Sequence, residues 1–134
     1  MTRGTYTLLV ELPRTVDVRV GALGVLTFQA GWYAYTGSAF GPGGLSRVDR
    51  HRELARGERD VRHWHVDYLL GHPAAALRDV VVTEGEDVEC AVARSVGGDA
   101  VPGFGASDCD CGSHLARFPT RRAARDAVVA AHEP

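Results

Sequence analysis

Tyr6, Tyr35, Arg47, His51 and Glu89 are the residues of this chain whose types suit the hydrolysis of a phosphodiester. That reaction needs a base for the water, a divalent cation, a cationic clamp on the phosphate and help for the leaving oxygen. Phenols and an imidazole can move protons, and a guanidinium can grip a phosphate through two hydrogen bonds. A carboxylate in the first turn of a helix can hold a hard metal ion. Each residue also has an ordinary structural use. A strand tyrosine packs in a core, Arg47 and His51 decorate a helix surface, and Glu89 complements a helix dipole.

A second set is Cys109, Cys111 and His114, spaced C-x-C-x-x-H, with Cys90, His63 and His65 as further donors. Thiolate and imidazole are natural zinc ligands, and the spacing works if a fourth ligand arrives from another element. The alternative is a tight turn in which Ser107 and Asp108 bond backbone amides while the thiols pack as small hydrophobes. Asp108, His114 and His65 can instead line a cleft and touch a substrate. His63 and Asp67, four apart on a helix, can form an orienting pair, whereas Trp64 and Tyr68, one turn apart, read as core. His72 and His132 carry no functional signal.

The phosphate side of such a site has to be positioned by Gly31 to His51, GWYAYTGSAFGPGGLSRVDRH. An aromatic-rich strand ends at Tyr35-Thr36-Gly37. A glycine-rich turn follows from Ser38 to Gly44, and a helix from Leu45 to about Arg56 then carries Arg47, Arg50 and His51. Strand, glycine loop and cationic helix suit an anion. On a helical wheel Leu45, Val48, Arg52 and Ala55 share one side, and Arg47, Arg50, His51 and Leu54 the other.

The remaining elements follow from pattern. Thr5–Glu11 is a strand closed by Pro13, and Val16–Val20 alternates as a half-exposed strand. Gly21–Gly24 turns the chain into Leu23–Gln29, and Trp32–Thr36 follows. These short links predict one antiparallel sheet of three or four strands. Asp60 caps a helix Val61–Leu70 that Gly71 and Pro73 end. Leu77–Thr83, a continuous β-branched run, reads as a buried strand. Asp87 caps a third helix through Val96, striped by Val88, Val92 and Val96 and stopped at Gly97-Gly98. Val101–Gly112 is loop and His114–Phe118 a last strand. Pro119-Thr120 opens a terminal helix with an apolar face of Ala123, Ala124, Ala127, Val128 and Ala131. The class is α+β, a small mixed or antiparallel sheet flanked by helices, in one domain over 1–134.

With 45% hydrophobic and 24% charged residues the chain has the make-up of an ordinary globular protein. No run of about 18 apolar residues spans a membrane, and Glu11 interrupts the apolar start too early for a signal peptide. The expectation is a cytoplasmic protein. A formal charge of -2 gives no global pull on nucleic acid, but six of the fifteen basic residues, all arginine, crowd the window from Arg47 to Arg62. Asp49, Glu53, Glu58 and Asp60 dilute that window, so a solvated helix laced with ion pairs reads it equally well. Three cysteines without an export signal argue against a disulfide framework and for metal binding or burial.

Gly4-Thr5-Tyr6, Tyr35-Thr36-Gly37, Leu45-x-Arg47-x-x-x-His51 and a helix-opening Glu89 together resemble the GIY-YIG endonuclease superfamily. Tyr35-Thr36-Gly37-Ser38-Ala39, Arg50-His51, HWHVDYL from His63 to Leu69, Glu89-Cys90 and Gly103 to Leu115 resemble more closely its DUF123 branch. That branch occurs alone or fused to endonuclease III-like repair proteins. The resemblance runs from about Gly4 to Phe118. It implies a small sheet flanked by helices and a single-metal nuclease acting on nucleic acid, DNA above all, alone or beside a repair protein. Tyr6 would be the base or orient the water, and Tyr35 would support the phosphate or the water. Arg47, with His51 beside it, would stabilise the growing charge. Glu89 would be the one protein ligand of Mg2+ or Mn2+, the rest being waters and phosphate oxygens. Gly37, Ser38, Arg50, His65, Asp108 and His114 would contact the substrate. Nucleases of this superfamily set the two triplets closer together than Tyr6 and Tyr35, which are 29 apart here. The Val16–Gln29 hairpin fills the gap and makes Tyr33 a rival for the role of Tyr6. The alternatives are a nucleic-acid-binding accessory module without turnover, and a small protein whose Cys and His cluster holds structural zinc.

Overall fold

The computed structural model describes residues 2–60, 62, 64–105 and 112–133. Strand β1 (Gly4–Leu12) is central, because its period-2 apolar pattern is buried on both faces. It pairs antiparallel with β4 (Gly31–Ser38) on one side and β5 (Ala76–Glu84) on the other. β4 continues to β7 (Leu115–Phe118), and β7 to the two-residue β6 (Asp99–Ala100), giving the order β5-β1-β4-β7-β6. The chain is α+β, as its pattern predicts.

Two expectations about the strands are corrected. The hairpin β2 (Val16–Arg19) and β3 (Val25–Phe28) does not extend the first sheet but pairs only with itself as a second, two-stranded sheet. Short links force antiparallel neighbours, yet β1 already has β4 and β5 as its two partners. β5 is not a buried strand either. It lies at the sheet edge, half-exposed along its length, with Val82 open to solvent.

Helices cover both faces. Tyr6, Leu8, Val10 and Leu12 of β1 and Tyr33 and Tyr35 of β4 share one core with α1 (Ser46–Ala55), α2 (His65–Leu70) and the hairpin. Leu9, Ala34, Ala116 and Phe118 face the other way, onto α3 (Glu89–Val96) and α4 (Arg121–His132). The apolar stripe predicted for α4 is borne out, with Ala124 and Val128 fully covered, and Thr120 caps it by accepting a hydrogen bond from Ala123 N. α2 starts later than expected. Its N-cap is Trp64, whose N–H donates to Asp67 Oδ2 at 3.0 Å, and Asp60 plays no part in the cap. Among the described residues no helix is long and apolar enough to cross a membrane.

α1 also buries a different face from the one its wheel suggests. Val48, His51 and Leu54 are covered, while Arg52 is solvent-exposed and paired with Asp49. A histidine thus occupies a core position. It can do so because a partner satisfies one of its ring nitrogens there.

Candidate active site

That partner is Tyr6. Register places Tyr6 directly across from Gly37, on the same face of the sheet. The missing side chain makes room for the phenol, since a Cβ on Gly37 would stand 2.5 Å from Tyr6 Oη. The ring leans over that gap and its hydroxyl meets His51 Nε2 at 2.7 Å. Both side chains are 1% exposed. Tyr33, the rival candidate, donates its hydroxyl to Gln29 O and is used structurally.

Tyr35 stands two residues before Gly37 on β4. Its ring packs edge-on against His51, centroids 6.4 Å apart, and against Phe104. Burial drives both phenols well above the ordinary range. Each is raised further by Glu89 and drawn back by Arg47, which also hydrogen-bonds Tyr6. Glu89 and Arg47 therefore lie electrostatically on the same site. His51 moves the other way. Burial, then Arg47 and Arg50, lower its pKa to about 4, so the imidazole is neutral at physiological pH.

Arg47 anchors on the glycine loop, donating from Nη1 to Ser38 O at 2.6 Å. Its guanidinium stacks 4.6 Å from the centroid of Trp64, and that of Arg50 stacks 4.7 Å from the same ring. Trp64 is thus a platform for two cations as well as a core residue. Arg50 Nε is buried with no hydrogen-bond partner among the described residues. Arg52, Arg56 and Arg59 behave as the solvated reading predicts, pairing with Asp49, Glu58 and Glu53, whereas Arg62 lies 3.8 Å from Asp60 and is largely covered, its Nη1 buried with no hydrogen-bond partner among the described residues. Only Arg47 and Arg50 of the six stack on Trp64.

Glu89 opens α3 with a side chain 26% exposed and its Oε2 3.7 Å from His114 Nδ1. His114 is buried, with its pKa lowered by desolvation. Its backbone ties the site together, accepting from Thr36 N and donating to Phe104 O. An accessible carboxylate at a helix start fits a hard divalent cation. Among the described residues no three His, Cys, Asp or Glu side chains gather as a metal cage. A cation here would take its other ligands from water and substrate, the manner of magnesium.

The structure brings together Tyr6, Tyr35, Gly37, Ser38, Arg47, Arg50, His51, Glu89 and His114. His65 joins at one remove, its Nδ1 accepting from Gly105 N at 2.8 Å and its ring against Phe104. Gly105 in turn packs on Tyr35 and His114 with φ +69°, a conformation that favours glycine. Asp108, Cys109, Cys111 and His63 lie outside the described residues, and with them the C-x-C-x-x-H zinc set and the His63–Asp67 pair. Cys90 is disulfide-bonded, which corrects the expectation that the cysteines serve metal binding or burial alone. Asp67 itself is fully buried with Oδ1 4.0 Å from His51 Nδ1, a relation between two helices that no local spacing signals.

No curated protein and no solved structure matches the chain. A family model does match, over residues 5–134, and its description is a domain of unknown function, DUF123. The chain belongs to the DUF123 family.

Proposed function

We propose that this site hydrolyses phosphodiester bonds of nucleic acid, DNA in the first instance, by chemistry of the GIY-YIG type. The observation that carries the reading is the convergence of two buried phenols, a neutral histidine, a paired-guanidinium platform and one accessible carboxylate. These are the parts the reaction requires.

The phenol of Tyr6 need not ionise to work. As it receives a proton from the attacking water it passes its own to His51 Nε2, and the raised pKa keeps it protonated until then. His51 is available because it rests neutral. Arg47 and Arg50 offer N–H groups and positive charge to the phosphate, with Arg47 steadied by Ser38 O. Tyr35 limits where the phosphate can sit. Glu89 would hold Mg2+ or Mn2+, which when bound supplies Lewis-acid stabilisation of the phosphoryl oxygens.

The test is incubation of branched, damaged and single-stranded DNA and RNA with the protein and Mg2+ or Mn2+. The expected result is cleavage by wild type that Tyr6→Phe loses. Salt-dependent binding lost in Arg47→Ala, without cleavage of any substrate, would select the accessory-module reading instead.

A further inference from the structure

We infer that Asp67 is a positioning residue of this site: it fixes the tautomer of His51, completing a buried Tyr6–His51–Asp67 line from the sheet through α1 to α2. The inference rests on the reading of Tyr6 and His51 as proton carriers.

The need for such a residue is geometric. For Tyr6 to donate to Nε2, the neutral ring must carry its proton on Nδ1. With the opposite tautomer Nε2 would itself be a donor, and the phenol could only accept. The 2.7 Å contact would survive but the proton could not move from phenol to imidazole. Something must favour the proton on Nδ1.

Among the described residues the groups around the ring are Tyr6, Tyr35, Trp64, Arg47, Arg50 and Asp67. Among them only Asp67 sets a carboxylate oxygen opposite Nδ1. Nδ1 is buried and makes no hydrogen bond among the described residues, and Asp67 Oδ1 faces it at 4.0 Å. That separation exceeds a hydrogen bond, but a carboxylate at this range in a dry interior still biases where a proton sits. Contacts of this kind also shorten when a site fills. Arg47 and Arg50 act in the same sense from elsewhere, by keeping the ring neutral. Asp67 is held independently of His51, because its Oδ2 accepts the N-cap N–H of Trp64. α2 therefore aims the carboxylate, and the same residue caps the helix and orients the imidazole.

The experiment reads the ring nitrogens of His51 by 15N chemical shift in the uniformly labelled 134-residue chain, without substrate. Wild type is expected to hold the proton on Nδ1 by about tenfold or more. Tyr6→Phe should keep that preference, and Asp67→Asn, whose amide oxygen still accepts from Trp64, should lose it. Three results overturn the inference: an Nε2–H tautomer in wild type, an unchanged tautomer in Asp67→Asn, or a tautomer that flips in Tyr6→Phe. If Asp67→Asn does not fold, wild type and Tyr6→Phe decide the matter. Where cleavage can be measured, Asp67→Asn should lower kcat by about a hundredfold with KM little changed. Absence of cleavage would sink the nuclease reading while leaving the tautomer result to judge Asp67 on its own.

Discussion

Acid should destabilise this protein through His51, and the size of the effect follows from its burial. The imidazole is 1% exposed and its pKa falls from 6.5 to about 4 on folding. The unfolded chain therefore binds a proton that the folded chain refuses anywhere between those values. Stability is complete above about pH 6.5, declines as pH falls towards about 4, and levels off below. At about 1.36 kcal/mol per pH unit the full loss is about 3 kcal/mol, a large share of a typical domain stability. His114 and His132 are also lowered by burial and add to the same trend. The difference between wild type and His51→Gln isolates the His51 part, since glutamine keeps an acceptor for Tyr6 but does not titrate. Urea unfolding at intervals between about pH 7.5 and about pH 4.5 should show the two stability curves converging by about 2.5 kcal/mol as pH falls. Parallel curves would refute the reasoning, and with it the buried neutral imidazole on which the proposed proton path depends.

Gly37→Ala should disturb the site although its backbone tolerates alanine. The new Cβ meets Tyr6 Oη and Cζ at 2.5 and 2.6 Å, and the phenol cannot retreat without breaking its bond to His51. A loss of about 1–3 kcal/mol in chemical denaturation is expected, and an unchanged stability would mean that the ring has room to move. His132→Ala should cost about 1–3 kcal/mol, read as a Tm lowered by several degrees. Its Nε2 meets Thr7 Oγ1 at 2.7 Å and its Nδ1 meets Thr83 Oγ1 at 2.8 Å, so one ring ties the end of α4 to β1 and β5.

The strands were legible where alternation and glycine punctuation agree, as in β1 and β4, and α4 announced itself through its alanine and valine stripe. The failures have physical reasons. β5 is rich in β-branched residues, which suits an edge strand as well as a buried one, and composition cannot say how many neighbours a strand has. His51 counts as polar on a helical wheel, so the wheel turns it outward. Its burial depends on a phenol 45 residues away. Sequence spacing pairs Asp67 with His63 because i,i+4 neighbours on one helix are visible in it, whereas a contact between α1 and α2 is not. His132 offered nothing locally, because Thr7 is 125 residues away. Tyr6, Tyr35, Arg47, His51 and Glu89 could be picked out by chemical type and ordered motif. Only the fold shows Trp64 as the platform between two arginines, and Asp67 behind the histidine.

The central claim is that a single carboxylate completes a phosphodiester-cleaving site. Its most direct test is the single-turnover cleavage rate of wild type and Glu89→Gln across the nucleic-acid panel, titrated with Mg2+ and Mn2+. The account predicts metal-dependent cleavage by wild type and a loss of about a hundredfold or more in Glu89→Gln, with the folded stability of the two proteins alike. Equal behaviour of the two proteins on every substrate would contradict it.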